Sequence, residues 1–220
     1  MDIRQGSAWR TLLLVGLVAT GAAVLVTASH ELSRERIAAN ERARLLASLN
    51  SVLDPRLQDR GLVPIRITAT DRELLGTDEP VDVFVATEGG RPVAAILAPV
   101  APDGYNAPIR LLVGVTPGGV LTGVRVLSHR ETPGLGDLIE LRKSGWILQF
   151  DGRSLEDPPY ELWAVDRDDG AFDSITGATV TPRAVVKAVR NTLVYFERHR
   201  EELFAAAARA SEAEAAEAEE

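Results

Sequence analysis

The sequence predicts an α+β protein, in which a single N-terminal transmembrane helix is followed by a mixed sheet-and-helix domain. Three observations lead to this prediction. Residues 11–28 form an apolar run without a charged side chain, residues 81–127 contain strand-like segments separated by turns, and apolar residues recur at helical spacing after Pro182. Strands that precede the long helix, rather than alternating with helices, are typical of an α+β domain.

The apolar run follows a short N-terminal segment, residues 1–10. An uncharged helix over residues 11–28 is long enough to cross a hydrocarbon core of about 30 Å, which predicts a transmembrane helix. A cleaved signal peptide is the competing interpretation, because Val26, Thr27 and Ala28 offer small residues at a cleavage site. The length of the run and the charged helix directly after it favour the membrane anchor.

Basic residues on either side of this span bear on its orientation, since cytoplasmic flanks carry an excess of Lys and Arg. Two arginines precede the span and four follow it: Arg4 and Arg10 before, then Arg34, Arg36, Arg42 and Arg44. This count alone puts the body of the protein in the cytoplasm. Acidic residues interleave with the second group, although they offset the rule only weakly.

Residues 29–55 form the next predicted element, a membrane-proximal helix. Apolar residues recur on one face between Glu and Arg from about Glu31 to Val52, and Pro55 marks the end of the helix. The apolar stripe consists of Leu32, Ile37, Leu45, Leu46, Leu49 and Leu53. We expect this helix to continue the membrane helix and to pack on the body or on a partner. Residues 56–80 show no clear pattern.

Two hairpins form the predicted sheet. Residues 81–85 alternate between apolar and polar, and a turn containing Gly89 and Gly90 joins them to residues 93–97. A second turn, over residues 116–119, joins the strand at residues 109–115 to one at residues 120–127. Shorter strands are predicted at residues 146–150 and 161–165.

The last predicted element is an amphipathic helix that begins at about Pro182. Thr181 suits the N-cap, Pro182 suits the first helical position, and the apolar face consists of Val185, Val186, Val189, Leu193 and Phe196. Residues 201–220 form an acidic tail rich in Ala and Glu. We interpret this tail as a charged, solvated extension, with a frayed helix as the alternative.

Composition excludes several classes of function. The chain has no cysteine, which rules out disulfides, thiolate metal sites and iron–sulfur clusters. Its three histidines have no paired spacing, so no metal site is expected. The net charge is -8, but five of the acidic residues lie in the last ten positions, so residues 1–210 carry a net charge of about -3. Such a nearly balanced charge predicts no nucleic-acid surface.

Residues 173–181 form the most informative segment. Backbone N–H groups and the positive end of a helix dipole favour an anion just before a helix starts, and Gly177 allows close approach of a ligand. Three hydroxyls lie in the same stretch, those of Thr176, Thr179 and Thr181. The pattern therefore indicates a phosphate site. A capped helix after an ordinary turn is the alternative.

The same segment resembles the flavinylation motif of FMN-binding domains, in which a threonine carries FMN through a phosphoester. The matching positions are Asp173, Thr176, Gly177, Ala178 and Thr179. The resemblance implies that Thr179 is the attachment residue and that all five positions belong to the cofactor site. It also implies that Asp173 is recognised by the flavin transferase, with stabilisation of the turn as the alternative.

A second segment, residues 129–137, is similar to the Glu-Thr-Pro-Gly-Leu-Gly loop of the G subunit of the Rnf (Rsx) ion-translocating electron-transport complex. The resemblance implies that the loop from Glu131 to Gly136 lies near the flavin, with Glu131, Thr132, Gly134 and Leu135 as site residues. Gly134 and Gly136 would permit close approach of the backbone. An ordinary glycine-rich turn is the alternative interpretation of this loop. Tyr105 is a further candidate, either for stacking on a ring or for anchoring its own loop.

Together the two motifs imply a membrane-anchored electron-transfer subunit with an FMN-binding domain at residues 56–200 and FMN bound covalently to Thr179. The complex would couple electron transfer between ferredoxin and NAD to ion translocation. Expected partners are the other membrane subunits, the flavin transferase and membrane lipid, but no nucleic acid. No residue is assigned a catalytic or metal-binding role.

The resemblance also places the protein in the cell inner membrane as a single-pass protein with its soluble domain in the periplasm, against the count of basic residues. The C subunit of the sodium-translocating NADH:quinone oxidoreductase shares the flavin motif but is usually longer. Two alternatives stay open: a flavoprotein that serves another membrane reductase, and a non-redox membrane-tethered scaffold or binding module in which the motif is only a capped helix.

Overall fold

A computed structural model describes residues 13, 15–17, 19–20, 46–53, 57, 62 and 64–218, and the chain forms two compact units, residues 1–48 and 49–220. The segment predicted at residues 1–10 lies outside the described residues. So does most of the predicted transmembrane helix, whose six described residues are helical and exposed. The predicted membrane-proximal helix is described only at residues 46–53, of which 46–50 are helical. Among the described residues, no helix is long and apolar enough to span a membrane.

An antiparallel sheet forms the centre of the second unit. Its strands are β1 (Ile65–Asp71), β2 (Thr77–Glu88), β3 (Arg91–Leu97), β4 (Val100–Ala101), β5 (Ile109–Val115) and β6 (Leu121–Ser128). Strands β1, β2, β3 and β5 lie side by side in that order, and β6 pairs with the other edge of β5. Both β3 and β4 pair with β5 in one register, so β4 continues the line of β3 after a short interruption.

Both predicted hairpins are confirmed. The first is β2 and β3, which turn at Gly89 and Gly90, where positive φ angles of 57° and 78° suit residues without a Cβ. The second is β5 and β6. The region without a clear pattern contains β1, the short helix α1 (Arg72–Leu75) and the start of β2.

The two shorter predicted strands are wrong, because both segments contain 3-10 helices. Trp146–Phe150 is a 3-10 helix in which Ile147 and Phe150, three residues apart, are buried while Leu148 is exposed. That spacing follows the period of a 3-10 helix rather than the alternation of a strand. Tyr160–Leu162 is also a 3-10 helix, and Val165 makes only an isolated bridge with Phe172.

The long helix α2 (Val180–Ala218) covers one face of the sheet. All five residues of its predicted apolar face are buried, which confirms that stripe. They pack in one core with inward-facing strand residues that include Val83, Leu97, Leu111 and Val113. The region expected to be a tail is helical as far as Ala218, with Leu203 and Ala207 buried, so its first part belongs to the packed helix.

Residues 49–53 cover the opposite face of the sheet. Leu49 and Leu53, two members of the predicted stripe, are buried there with Phe84 and Ile96. The backbone of Val52 lies so close to β5 that a Cβ on Gly114 would come within 2.4 Å of the Val52 oxygen. Both faces of the sheet are therefore covered, as an apolar sheet requires.

Between β6 and α2 the chain runs through four 3-10 helices: Gly136–Ile139, Trp146–Phe150, Tyr160–Leu162 and Asp166–Asp168. An aromatic cluster fixes this segment in the core, with the Phe172 ring 4.9 Å from that of Phe150 and 4.7 Å from that of Trp163. Trp163 Nε1 also donates to the carbonyl oxygens of Ser154 and Pro158, both at 3.1 Å. These contacts bring the loop after β6 back to the start of α2.

Candidate functional site

A cavity of about 350 Å³ lies where the loop after β6 meets the start of α2. Residues from three segments line it: Tyr105, then Glu131, Thr132, Leu135 and Gly136, then Gly177, Ala178, Thr179, Val180 and Thr181. The two sequence motifs, separated by about forty residues in the chain, thus line one cavity together.

Six of the nine predicted site residues line this cavity and three do not. Glu131, Thr132, Leu135, Gly177, Ala178 and Thr179 are in its wall. Gly134 forms the adjoining turn, with φ of 79° and its N–H donating to Asp137 Oδ1 at 2.7 Å. Thr176 and Asp173 are exposed beside the cavity.

The Asp173 backbone is fixed although its side chain is exposed. Its N–H donates to Gln149 Oε1 at 2.7 Å, and its carbonyl oxygen accepts from Trp146 Nε1 at 2.7 Å. Its carboxylate has no hydrogen-bond or ion-pair partner among the described residues. The 3-10 helix Trp146–Phe150 therefore holds the start of the motif and presents this carboxylate to solvent.

Glu131 is the buried polar centre of the site, with 5% of its surface exposed. Its Oε1 accepts from the N–H of Asn106 at 3.1 Å, and its Oε2 accepts from the N–H of Tyr105 at 3.3 Å and from the Thr181 hydroxyl. One carboxylate thus joins the Tyr105 loop, the loop after β6 and the first turn of α2. We call this arrangement the Glu131 clamp.

The start of α2 corrects the prediction of its N-cap. The helix begins at Val180, and the carbonyl oxygen of Thr179 accepts from the N–H of Arg183 at 3.4 Å, so Thr179 occupies the N-cap position. The Thr181 hydroxyl bonds Glu131 instead, and Pro182 lies in the first turn, which also tolerates a residue without an N–H. The sequence alone allows either threonine.

Two glycines permit the close approach of the cavity walls. Gly177 has φ of 84° in a turn closed by the N–H of Ala178 and the carbonyl oxygen of Ile175, and a Cβ there would come within 3.0 Å of Leu135 Cδ2. A Cβ on Gly136 would lie 2.8 Å from Glu131 Cβ and 2.9 Å from Thr181 Oγ1. Gly136, which the resemblance places near the flavin as a position of close backbone approach, is thus in contact with both Glu131 and Thr181, and these neighbours show why the position must be small.

Thr179 is half-buried at one end of the cavity, and its Oγ1 accepts from Arg167 Nη1 at 2.9 Å. The backbone N–H groups of Val180 and Thr181, the first two of α2, have no acceptor in the described part of the chain. A helix N-terminus with free N–H groups and a nearby guanidinium favours an anion at this end. Nothing in the sequence indicates this role for Arg167, since it lies twelve residues before Thr179.

The other two cations near the start of α2 are already paired. Arg183 Nε and Nη2 donate to the two carboxylate oxygens of Asp168, both at 2.5 Å, and this contact lowers the pKa of Asp168. Lys187 Nζ lies 2.6 Å from Asp103 Oδ2. Neither side chain lines the cavity.

Behind the loop after β6, His129 links Glu131 to Glu140. The N–H of Glu131 donates to His129 Nδ1 at 3.0 Å, which requires the tautomer whose Nε2–H donates to Glu140 Oε1 at 2.6 Å. Arg142 also donates to Glu140, and this hydrogen bond, with a smaller effect of His129 and against the effect of burial, holds the pKa of Glu140 below its usual 4.5.

The lowered pKa of Glu140 predicts how the free energy of unfolding changes in acid. The pKa of Glu140 is lower in the folded than in the unfolded chain, so its contribution to the free energy of unfolding is present above 4.5 and lost as the pH falls through the folded value. We expect Glu140→Gln to be less stable than the parent at neutral pH and to lose less stability between about pH 6 and pH 3. Urea unfolding across that pH range measures the stability at neutral pH and its loss in acid. Parallel pH profiles for the two proteins would contradict the lowered pKa of Glu140.

Comparisons with known proteins agree on one family. Residues 104–194 match the FMN-binding domain family. The chain is 43% identical over 190 residues to a Shewanella loihica protein, 47% over 196 residues to one from Pseudomonas aeruginosa, and 40% over 191 residues to one from Aliivibrio fischeri. These alignments cover 86%, 89% and 87% of this chain and 90%, 92% and 91% of the relatives. Each of these relatives is named as the G subunit of an ion-translocating oxidoreductase complex.

Proposed function

Because this chain belongs to the family of G subunits of ion-translocating oxidoreductase complexes, we propose that it is a membrane-anchored electron-transfer subunit whose FMN is joined covalently to Thr179. The FMN-binding domain and the names of the relatives support a flavin-carrying member of a multi-subunit complex.

The observation that carries the proposal is the position of the Thr179 hydroxyl in the wall of the cavity that both motifs form. The residues present fit FMN. The cavity volume of about 350 Å³ lies within the range of small-molecule sites. Leu135 and Tyr105 supply apolar and aromatic walls, and the unpaired N–H groups of Val180 and Thr181 are available to the phosphate of FMN.

A covalent link at Thr179 requires a balanced exchange at phosphorus. The bond from Thr179 Oγ to phosphorus replaces the phosphoanhydride bond of a flavin dinucleotide donor, the nucleoside monophosphate leaves, and the hydroxyl proton passes to solvent. The product is a phosphodiester with one negative charge. The N–H groups of Val180 and Thr181 and the positive end of α2 are placed to stabilise that charge.

When bound, FMN supplies one- and two-electron redox chemistry, and the protein supplies position and electrostatics. Position 177 favours glycine because its φ is 84°, and an added Cβ would also come within 3.0 Å of the Leu135 side chain, which would have to shift by a few tenths of an ångström. The Glu131 clamp fixes Tyr105 at the rim of the cavity. None of these groups needs to exchange a proton for electron transfer.

We place the protein in the cell inner membrane through the single span at residues 11–28, with the FMN-binding domain on the periplasmic side. The relatives' membership of an ion-translocating complex supports this location. Other membrane subunits of an Rnf-type complex, the flavin transferase and membrane lipid are the proposed partners. Ion passage belongs to those subunits, because one uncharged span offers no path for an ion.

The test is the intact mass of the full chain after production with and without a flavin transferase. We expect the co-produced protein to gain the mass of one FMN less one water, and the other preparation to have the mass of the polypeptide alone. Trypsin releases residues 168–183, which contain Ser174, Thr176, Thr179 and Thr181, and fragmentation of this peptide should place the increment on Thr179. A colourless protein of polypeptide mass in both preparations would favour a non-redox membrane-tethered scaffold.

A further inference from the structure

We propose that Arg167 is the phosphate partner of the covalent flavin, a positioning residue that binds the non-bridging oxygens of the phosphodiester on Thr179. This inference rests on the proposed function. It starts from one contact, the hydrogen bond of 2.9 Å from Arg167 Nη1 to the oxygen of Thr179 that would become the bridging atom of the ester.

The negative charge of the residues around Thr179 favours a cationic partner for the phosphate. Residues 166–183 contain four aspartates and two arginines, so the segment is negative before any phosphate is added. Three of these aspartates, at positions 166, 168 and 169, are adjacent or next but one to Arg167. A phosphodiester placed on Thr179 adds another negative charge to this segment, and a guanidinium offsets it with two parallel N–H donors.

Arg167 is the cation of residues 166–183 that is available to bind this phosphate. Arg183 is held by both oxygens of Asp168, and Lys187, just beyond the segment, is held by Asp103. Within the described ranges, Arg167 forms no close ion pair, and its side-chain hydrogen bond goes to Thr179. Its exposed side chain keeps the freedom to shift from the hydroxyl to a phosphate oxygen.

The backbone of Arg167 is fixed on both sides. Asp166, the residue before it, accepts from the N–H of Ser174 at 3.0 Å and from the Ser174 hydroxyl, and these contacts lower the pKa of Asp166. Asp168, the residue after it, binds Arg183 on the first turn of α2. The two aspartates thus connect the 3-10 helix Asp166–Asp168 to the motif before and after Thr179, which directs Arg167 to the attachment residue.

The experiment compares unloaded and flavin-loaded full-length protein in detergent for the parent, Arg167→Ala, Arg167→Lys and Lys187→Ala. Lys187→Ala is the matched control, because it removes an exposed cation near the start of α2 that is committed to Asp103 and does not hold Arg167 in place. The readouts are flavin mass, the Tm of unloaded and loaded protein, and the ³¹P chemical shift of the phosphodiester.

We expect loading to raise the Tm of the parent and of Lys187→Ala by similar amounts. In Arg167→Ala that increase should be smaller by roughly 3 to 6 °C, with a changed ³¹P shift, because the phosphate has lost its guanidinium. Arg167→Lys should be intermediate, since it keeps the charge but not the paired donors. If Arg167→Ala fails to load while Arg167→Lys loads, charge at this position is needed to accept the phosphate, which also supports the inference.

Three results would contradict the proposal that Arg167 binds the phosphate on Thr179. Equal Tm losses in the unloaded and loaded forms of Arg167→Ala, with the ³¹P shift unchanged, would show a merely structural contact. A larger effect of Lys187→Ala than of Arg167→Ala on the loaded form would move the role to Lys187. Loss of loading in both variants at position 167 would assign Arg167 to contact with the transferase. If the parent itself takes up no flavin, the proposed function fails as well, and that outcome is distinct from all three.

Discussion

Thr179→Ala is expected to abolish covalent flavin completely while leaving the protein folded. The two neighbouring threonines are poor substitutes. Thr176 is exposed outside the cavity wall, whereas Thr181 is a residue only 1% exposed whose hydroxyl donates to Glu131. Thr179 occupies the N-cap position, but its side-chain hydrogen bond joins it to Arg167 rather than to a helix N–H. The loss of stability should therefore be only about 0.5–1 kcal/mol.

Intact mass, in-gel flavin fluorescence and the Tm of the unloaded protein measure these effects. Thr176→Ser is the matched control, since it changes another threonine of the same motif but keeps the hydroxyl, and it should load like the parent. Thr179→Ser keeps a hydroxyl and is expected to regain part of the loading. A full FMN increment in Thr179→Ala would refute the assignment and direct attention to Ser174, Thr176 or Thr181.

Glu131→Ala is expected to have the largest effect on stability. It leaves the N–H groups of Tyr105 and Asn106 and the hydroxyl of Thr181 without their acceptor, in a place where Glu131 itself is only 5% exposed. The Thr181 hydroxyl is the fully buried member of this set and costs about 1–3 kcal/mol when it is left unpaired. Tyr105 and Asn106 are exposed residues whose N–H groups can bind water instead, so we expect a total loss of roughly 2 kcal/mol. For a domain of this size, that corresponds to a fall in Tm of roughly 4–8 °C.

The same change should lower flavin loading, because the Tyr105 loop and the first turn of α2 lose their common anchor. Glu131→Gln is the control: its amide oxygen still accepts hydrogen bonds, so it should lose less stability than alanine does. Thermal unfolding of Glu131→Ala, Thr181→Val and the double variant gives the coupling between the two side chains. Additive losses would mean that the Thr181 contact contributes nothing to the clamp.

Local patterns predict a large part of the fold. Turn glycines at positions 89 and 90 and alternating side chains predict the first hairpin, and helical spacing predicts all five buried residues on the apolar face of α2. The segment 146–150 resembles a strand in sequence although it is a 3-10 helix, because a short apolar run carries too few residues to distinguish a period of two from a period of three.

The candidate site can also be predicted only in part, because motifs identify residues within a short segment but not their distant neighbours. Motif resemblance selects Glu131, Leu135 and Thr179, which the cavity brings together. It does not select Arg167, whose role depends on a contact with Thr179, twelve residues later in the chain. Thr181 has the side chain of a helix cap, but its hydroxyl bonds a carboxylate fifty residues earlier.

By itself, the sequence determined the order of the hairpins and of the long helix, the class of cofactor and the family, because periodicity, turn residues and motifs are properties of short stretches of chain. Tertiary structure alone decided that the two motifs share one cavity, that Glu131 joins three segments and that Arg167 rather than Arg183 contacts Thr179. Such choices among chemically equivalent side chains are made by packing and pairing over long separations, which no local pattern records.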